Sequence, residues 1–232
     1  MSGPPPARPR RLVAFDLASV AALAAALGLV GARLEAAPPT AWWPLLALAA
    51  LAGVALADLG SGVVHWFCDT RFAPTTPGIG PALIAPFREH HEDPEAITRR
   101  GALEVSGYNA LLGAALLVPA VPLAGRFGVG LGASLLLVGW AAAVLATVAT
   151  NQIHCWAHRP RPPRVVGALQ RAGLLLAPAH HARHHRDPRG VAYCVTTGWC
   201  NPLLDRSRIL HRLDRAVSRA RTPRDGSAGR RA

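Results

Sequence analysis

Across 232 residues the chain carries 25 basic side chains, every one an arginine, against 13 acidic ones, a net charge of +12, yet charged residues make up only 16% of it. A positive surplus suits nucleic acid or an anionic membrane surface, and the long uncharged runs between the arginines decide for the membrane and against nucleic acid. Cys68, Cys155, Cys194 and Cys200 form no CxxC pair and no zinc-ribbon spacing, which excludes a redox motif or a cysteine zinc site and leaves reduced, space-filling thiols.

Taken in chain order, residues 1–11 read as a flexible arm. The apolar stretch after them is too long for a cleaved signal, and no small-residue cleavage site ends it. A helix needs about 20 mostly apolar residues to cross the hydrocarbon core, and four segments meet or approach that length. The first is 12–30, with Asp16 near enough to its start to reach the interface. The second is 42–64, opened by the interfacial pair Trp42 and Trp43. The third, 109–125, is the shortest and carries Pro119 and Pro122, and the fourth, 127–153, is long enough to tilt. Residues 109–153 read either as two crossings or as a re-entrant hairpin, and both return the chain to one side.

Arg8, Arg10 and Arg11 flank the first span, Arg71, Arg88, Arg99 and Arg100 lie between the second and third, and sixteen arginines follow the fourth; only Arg33 and Arg126 fall opposite. The positive-inside rule therefore places both termini and the 65–108 loop in the cytoplasm, beneath a bacterial inner membrane or an endoplasmic reticulum. The stretch RVVGALQRAGLLLAP is too short to span and reads as an interfacial or core helix. From Leu203 onward, Arg and Asp alternate with Leu and Ile at helical spacing before a polar tail, so residues 206–232 read as a basic helix and tail.

Nine of the ten histidines fall on the arginine-rich side. His65 ends the second span, His90 and His91 sit in the following loop, His154 and His158 end the fourth span, and His180, His181, His184 and His185 follow the short helix; His211 stands alone among arginines. Residues four apart on a helix share a face. His65 and Asp69, His154 and His158, His180 and His184, and His181 and His185 all have that spacing. Eight or nine imidazoles and one carboxylate exceed the four ligands of a structural zinc site, so the count points to two ions; imidazole alone suits Zn, Cu, Fe and Ni. H-x3-H followed by H-x2-H-H resembles the histidine boxes of membrane desaturases and hydroxylases, where the ions are iron. A zinc protease would show H-E-x-x-H, which EHHEDPE does not. A bis-histidine haem would place its ligands inside the bilayer, and a metal transporter would need polar groups at mid-membrane. A metal-binding scaffold without catalysis remains the rival class. Asp58, Glu89, Asp93, Asn151 and Gln152 are candidates to orient imidazoles from behind, the alternative being a snorkelling or cavity-facing acid for Asp58 and solvated loop charges for Glu89 and Asp93.

The motifs ADLGSGVVHWFCDT, PFREHHEDPEAITRR, TNQIHCWAHRP and LQRAGLLLAPAHHARHHRDPRGVAYCVTTGWCNPLLD, in that order, resemble the plasmanylethanolamine desaturase family and cover about 57–205. The resemblance implies a lipid desaturase domain over 12–205, all-α and multi-pass, with a cytoplasmic helical cap around a di-iron site. It implies ligands at His65, Asp69, His90, His91, His154, His158, His181, His184 and His185. His180 is set apart, because a related plant plastid desaturase, acting on an acyl chain of phosphatidylglycerol, carries Gln there. ADLGSG, CWAH and AGLL lean towards that plant branch, whereas TNQIH, DPEAITR and TTGW lean towards the ether-lipid branch. The implied reaction uses iron, O2 and two electrons to turn the sn-1 alkyl ether of an ethanolamine phospholipid into the vinyl ether of a plasmalogen; the alternative is an acyl desaturation near the headgroup. Zinc would be a replacement in a purified form. Arg88, Arg99 and Arg100 are candidates to hold the lipid phosphate. With no flavin or nicotinamide fingerprint in the chain, the electrons would come from a cytochrome b5 or ferredoxin type of carrier, steered by the basic face.

Overall fold

A computed structural model describes residues 8–35, 39–128, 130–187 and 190–221, all helix, turn or irregular chain with no strand among them. The arm before Arg8 and the tail after Arg221 lie outside the described residues. Four helices are long and apolar enough to cross a membrane: α1 (Arg10–Glu35), α2 (Trp43–Thr70), α4 (Ala102–Gly125) and α5 (Leu131–Ala157), with the short α3 (Ala85–Glu92) between α2 and α4. After α5 come α6 (Arg164–Arg171), α7 (Pro178–Arg186), α8 (Asn201–Ser207) and α9 (Ile209–Arg221).

The third and fourth spans are two full helices, not a re-entrant hairpin. Pro119 and Pro122 are taken up inside α4, as the bilayer tolerates where neighbouring helices satisfy the backbone. α4 also begins seven residues ahead of the expected 109, because Glu104 and Gly107 lower the hydropathy of two first turns that are nonetheless helical. Length sets the position of the site: α2 has 28 residues and α5 has 27, about 40 Å each at the α-helical rise. That exceeds the ~30 Å hydrocarbon core, so each helix has turns to spare beyond it, and His65, Asp69 and His154 lie towards their C-terminal ends.

The bundle packs α1 on α4, α4 on α5 and α5 on α2, around Leu23, Ala26, Val30, Leu117, Leu137 and Val144. Small residues permit the approach: a side chain at Gly53 would run into the Gly139 carbonyl of α5. Asp16, near the start of α1, is fully buried against Gly107 of α4 and ion-paired with Arg8. The expected short helix over 164–178 ends at Arg171, where Gly173 at φ 69° turns the chain, and the C-terminal helix breaks at Arg208, φ 51°.

Candidate metal centre

Two groups of side chains converge where α2, α3, α5 and α7 meet. One holds His90, His154, His158, His181 and His185; the other holds His65, Asp69, His91 and His184, and within each group the donor atoms lie within 4.8 Å of one another. The groups adjoin, with the His91 and His185 rings 5.1 Å apart and those of His65 and His154 6.1 Å apart.

Helical phase builds both. α2 aligns Asp58, Ser61, Gly62, His65 and Asp69 at three- and four-residue steps, on one face. Its upper part grips the 192–200 segment and its lower part supplies donors. α3 places the adjacent His90 and His91 in different groups, and α7 splits its histidines the same way, His181 and His185 to the first and His184 to the second.

In the five-histidine group the Nε2 atoms of His154 and His181 are 2.8 Å apart, those of His181 and His185 3.0 Å, and those of His154 and His158 3.2 Å. Donors about 2.1 Å from a common ion sit roughly 3.0–3.4 Å from each other in octahedral or tetrahedral arrangement, so the spacing is that of ligands. In the His65 group, Asp69 Oδ2 lies 3.4, 3.1 and 3.3 Å from Nε2 of His65, His91 and His184. His65 donates from Nδ1 to the Tyr193 carbonyl at 3.2 Å and His184 from Nδ1 to the Val191 carbonyl at 3.0 Å. These bonds leave each Nε2 as a lone-pair donor, the usual way a ligating imidazole is oriented.

Nε2 of His65, His90 and His184 and Oδ1 of Asp69 are buried without a hydrogen bond, a cost of ~1–3 kcal/mol per group that a cation at the cluster removes. Burial, then the neighbouring imidazoles, pushes the His158 pKa down to about 4, that of His185 to about 3 and that of His90 to about 2, and holds His181 well below 6.5. The rings are neutral at pH 7, as ligation requires. The cluster can hold metal.

His180 joins neither group. It faces away on α7, accepting at Nε2 from Asn201 at 3.0 Å, with burial and then Arg183 lowering its pKa. Asp58 meets no imidazole either: its Oδ1 accepts from the backbone N–H groups of Thr196, Thr197 and Gly198 at 3.3, 2.8 and 2.9 Å, and its Oδ2 from Cys200 at 2.9 Å. Asp93 pairs with Arg99, Glu89 and Asn151 are exposed, and among the described residues no hydrogen bond links Glu89, Asn151 or Gln152 to a histidine. Glu89 and Asn151 thus face solvent, Gln152 keeps a buried Oε1 without a hydrogen bond, and backbone carbonyls orient the ligands in their place. Arg88 donates from Nε to the Cys68 carbonyl at 2.9 Å, and Arg100 is 3.9 Å from Glu104.

The sequence reading missed the 190–200 segment as a scaffold. Asn201 brackets Cys194, accepting from its N–H at 2.8 Å and donating to its carbonyl at 3.0 Å, while Asp205 accepts from Ala192 N–H at 3.0 Å and holds it at φ 59°. Ser61 Oγ accepts from Val195 N–H at 3.0 Å, and a Cβ at Gly62 would sit 2.5 Å from Cys194 Sγ. The signal available was the Asp-x2-Ser-Gly phase ahead of His65.

Four membrane-length helices and nine clustered donor side chains, drawn from the ends of α2 and α5 and from α3 and α7, define a membrane protein with a polyhistidine cluster able to hold metal. Residues 54–225 match the lipid desaturase domain, and the chain belongs to that family. It is 39% identical over 188 residues to a plasmanylethanolamine desaturase of Myxococcus xanthus (80% of this chain, 65% of the relative) and 38% identical over 177 residues to plasmanylethanolamine desaturase 1 of Mus musculus (74% and 64%). It is also 36% identical over 171 residues to the chloroplastic fatty acid desaturase 4 of Arabidopsis thaliana (72% and 50%). The chain thus spans less than two thirds of the length of these relatives. No solved structure matches it.

Proposed function

We propose that the chain is an O2-dependent lipid desaturase that converts the sn-1 alkyl ether of plasmanylethanolamine into the 1'-alkenyl ether of a plasmalogen. The observation that carries this is the pair of adjoining donor groups, five imidazoles beside three imidazoles and a carboxylate, in a chain whose relatives include plasmanylethanolamine desaturases from a bacterium and a mammal. Five histidines on one ion exceed the tetrahedral habit of zinc, which supports two iron ions as the cofactor. His90, His154, His158, His181 and His185 would hold one ion, and His65, Asp69, His91 and His184 the other. The bound irons supply one-electron chemistry with O2 that no side chain can perform.

The protein's own part is positioning. α2 and α5 carry their donors just past the hydrocarbon core, at the depth of the first carbons below a phospholipid headgroup, so the reacting bond needs no deep tunnel. The Tyr193 and Val191 carbonyls fix two of the rings, and Leu176 and Val195, packed on Ile153 and Ala157, close off water beside the site. The arginine distribution supports a cytoplasmic site and termini, with a small acidic carrier of the cytochrome b5 or ferredoxin type delivering electrons. A fatty acyl desaturation close to the headgroup is the second reading, favoured by the plant relative.

Expression of the full chain in cells supplied with alkyl ether lipid tests the proposal. The expected result is acid-labile vinyl ether phospholipid by mass spectrometry, absent with His181→Ala. A new acyl double bond with ether lipid untouched selects the second reading, and no change in either lipid overturns both.

A further inference from the structure

Beside the His65 group lies a polar cavity of about 180 Å3, lined among others by Trp66, Asp69, Arg88, Tyr193, His211 and Asp214. One water needs about 10–15 Å3 by a comparable measure, so the space takes a small polar group rather than a single solvent molecule. Its wall includes Asp69, a member of the donor group, and also carries a cation, Arg88, and a second anion, Asp214. Arg88 is pinned through Nε to the Cys68 carbonyl, and no carboxylate pairs with its terminal guanidinium nitrogens among the described residues. Asp214 sits on α9, is 41% exposed, and receives Arg71 on Oδ1 at 2.6 Å, leaving Oδ2 for another donor.

α9 is docked so as to put that carboxylate there. Leu210 is buried with Trp66, Tyr193 and Leu204, His211 Nε2 donates to the Gly190 carbonyl at 2.8 Å, and the Arg71 guanidinium lies 4.9 Å above the Trp66 ring. Nothing in the metal site needs Asp214. A cation, an anion and a metal-site carboxylate lining one cavity match an aminoalkyl phosphate diester. In such a lipid the phosphate is a few bonds from the first carbons of the sn-1 chain.

We infer that this cavity is the headgroup subsite: Arg88 binds the lipid phosphate and Asp214 the primary ammonium of ethanolamine, so that α9 selects an ethanolamine over a choline or glycerol headgroup. This rests on the lipid desaturase reading and adds to it the residues that would read the headgroup. A primary ammonium gives Asp214 a charge-assisted hydrogen bond, which trimethylammonium cannot donate and a glycerol hydroxyl gives only in neutral form. Arg99, paired with Asp93, and Arg100 at the surface are not part of the subsite.

Lipid retention by the full-length, metal-loaded protein tests this without turnover, using native mass spectrometry after release from nanodiscs containing equal alkyl ether phosphatidylethanolamine, its choline counterpart and phosphatidylglycerol. Wild type is expected to retain the ethanolamine lipid about tenfold over the others. Asp214→Asn should bring the preference within threefold, and Arg88→Gln should lower retention of all three with the preference unchanged. Arg71→Gln breaks the same ion pair but leaves the carboxylate, so it should keep the preference, as should Asp214→Glu; a purely structural role for Asp214 would make Arg71→Gln behave like Asp214→Asn. A wild type without preference, a preference that survives Asp214→Asn, or its loss in Arg71→Gln overturns the assignment. Soluble glycerophosphoethanolamine should bind far more weakly than the lipid; equal binding would make this a soluble ester site and overturn it too. Selectivity that depends on Asp214 without vinyl ether formation would sink the proposed reaction and leave this subsite standing.

Discussion

His65 and His184 are each tethered through Nδ1 to a backbone carbonyl, at 3.2 and 3.0 Å, whereas His154, His158, His181 and His185 meet chiefly one another, Nε2 to Nε2 at 2.8–3.2 Å. The His65 group is therefore arranged before any ion arrives, by a loop that Asp58 and Asn201 hold from behind. The five-histidine group is arranged by helix phase, its rings held to one another by imidazole–imidazole hydrogen bonds that a cation would replace. One side depends on a scaffold distant in sequence, and the other on donor number.

The largest effects should come from removing donors, and the two groups should answer differently. Asp69→Asn and His181→Ala are each expected to lower desaturation by ~100-fold or more, beyond the 10–100-fold typical of groups behind the ligands. Metal analysis of the purified proteins separates them. Asp69 is approached by three imidazoles, so its loss should leave about one ion per chain, whereas His181→Ala leaves four nitrogen donors in its group and should hold nearer two. Equal metal loss in both would show that the groups do not act separately.

The next effect tests the scaffold. Asp58 accepts four backbone N–H bonds, each worth ~1.5–3 kcal/mol to a charged acceptor. Asn in its place keeps the shape but loses the charge and the second acceptor oxygen, which takes the Cys200 N–H. Asp58→Asn should lower activity about tenfold and the melting temperature by roughly 5 °C, with metal lost from the His65 group first. An unchanged melting temperature would mean that the 196–200 turn stands without the carboxylate.

The spacing of the histidines was readable because helices translate i, i+4 into one face, and the arginine asymmetry put those faces on one side. The four spans were readable for the same reason of composition, apart from the first two turns of α4. What escaped was carried by the backbone: Tyr193 and Val191 act through carbonyls, and any residue type has one. Glu89 looked suited to orient imidazoles because it adjoins His90 in sequence, but adjacent residues on a helix point about 100° apart; Asp93, just past the end of α3, pairs with Arg99, and Asn151, one turn before His154, is exposed. The role of Asp58 as a loop clamp became legible only once residues 138–142 positions downstream were seen folded onto α2.

A smaller effect concerns pH. Burial holds the folded pKa of His158 near 4 and that of His185 near 3, below the ordinary 6.5, so the unfolded chain takes up protons that the folded cluster refuses. Stability of the metal-free protein should therefore be full above about pH 6.5 and fall as pH drops towards 4. Thermal melts after chelation check this. A melting temperature flat between pH 7 and 4.5 would show that the rings are already charged, and the five-histidine group, where both residues sit, should dominate the slope.

The smallest effect sharpens the comparison, because His180 sits four residues before His184 with a ligand's spacing and does neither group's work. Its bond is to Asn201 Nδ2 at 3.0 Å, and the same Asn201 brackets Cys194, two residues from Ala192 in the segment that orients His65 and His184. His180 thus touches the scaffold one step further back than Asp58 does. A Gln side chain can accept from Asn201 in its place, so His180→Gln should change activity less than threefold and leave metal content intact. His180→Ala removes the acceptor and should cost more, about threefold to tenfold, with any lost metal coming from the His65 group. Metal loss in His180→Gln equal to that in His181→Ala would instead make His180 a ligand and require α7 to turn by about 100° from the phase described.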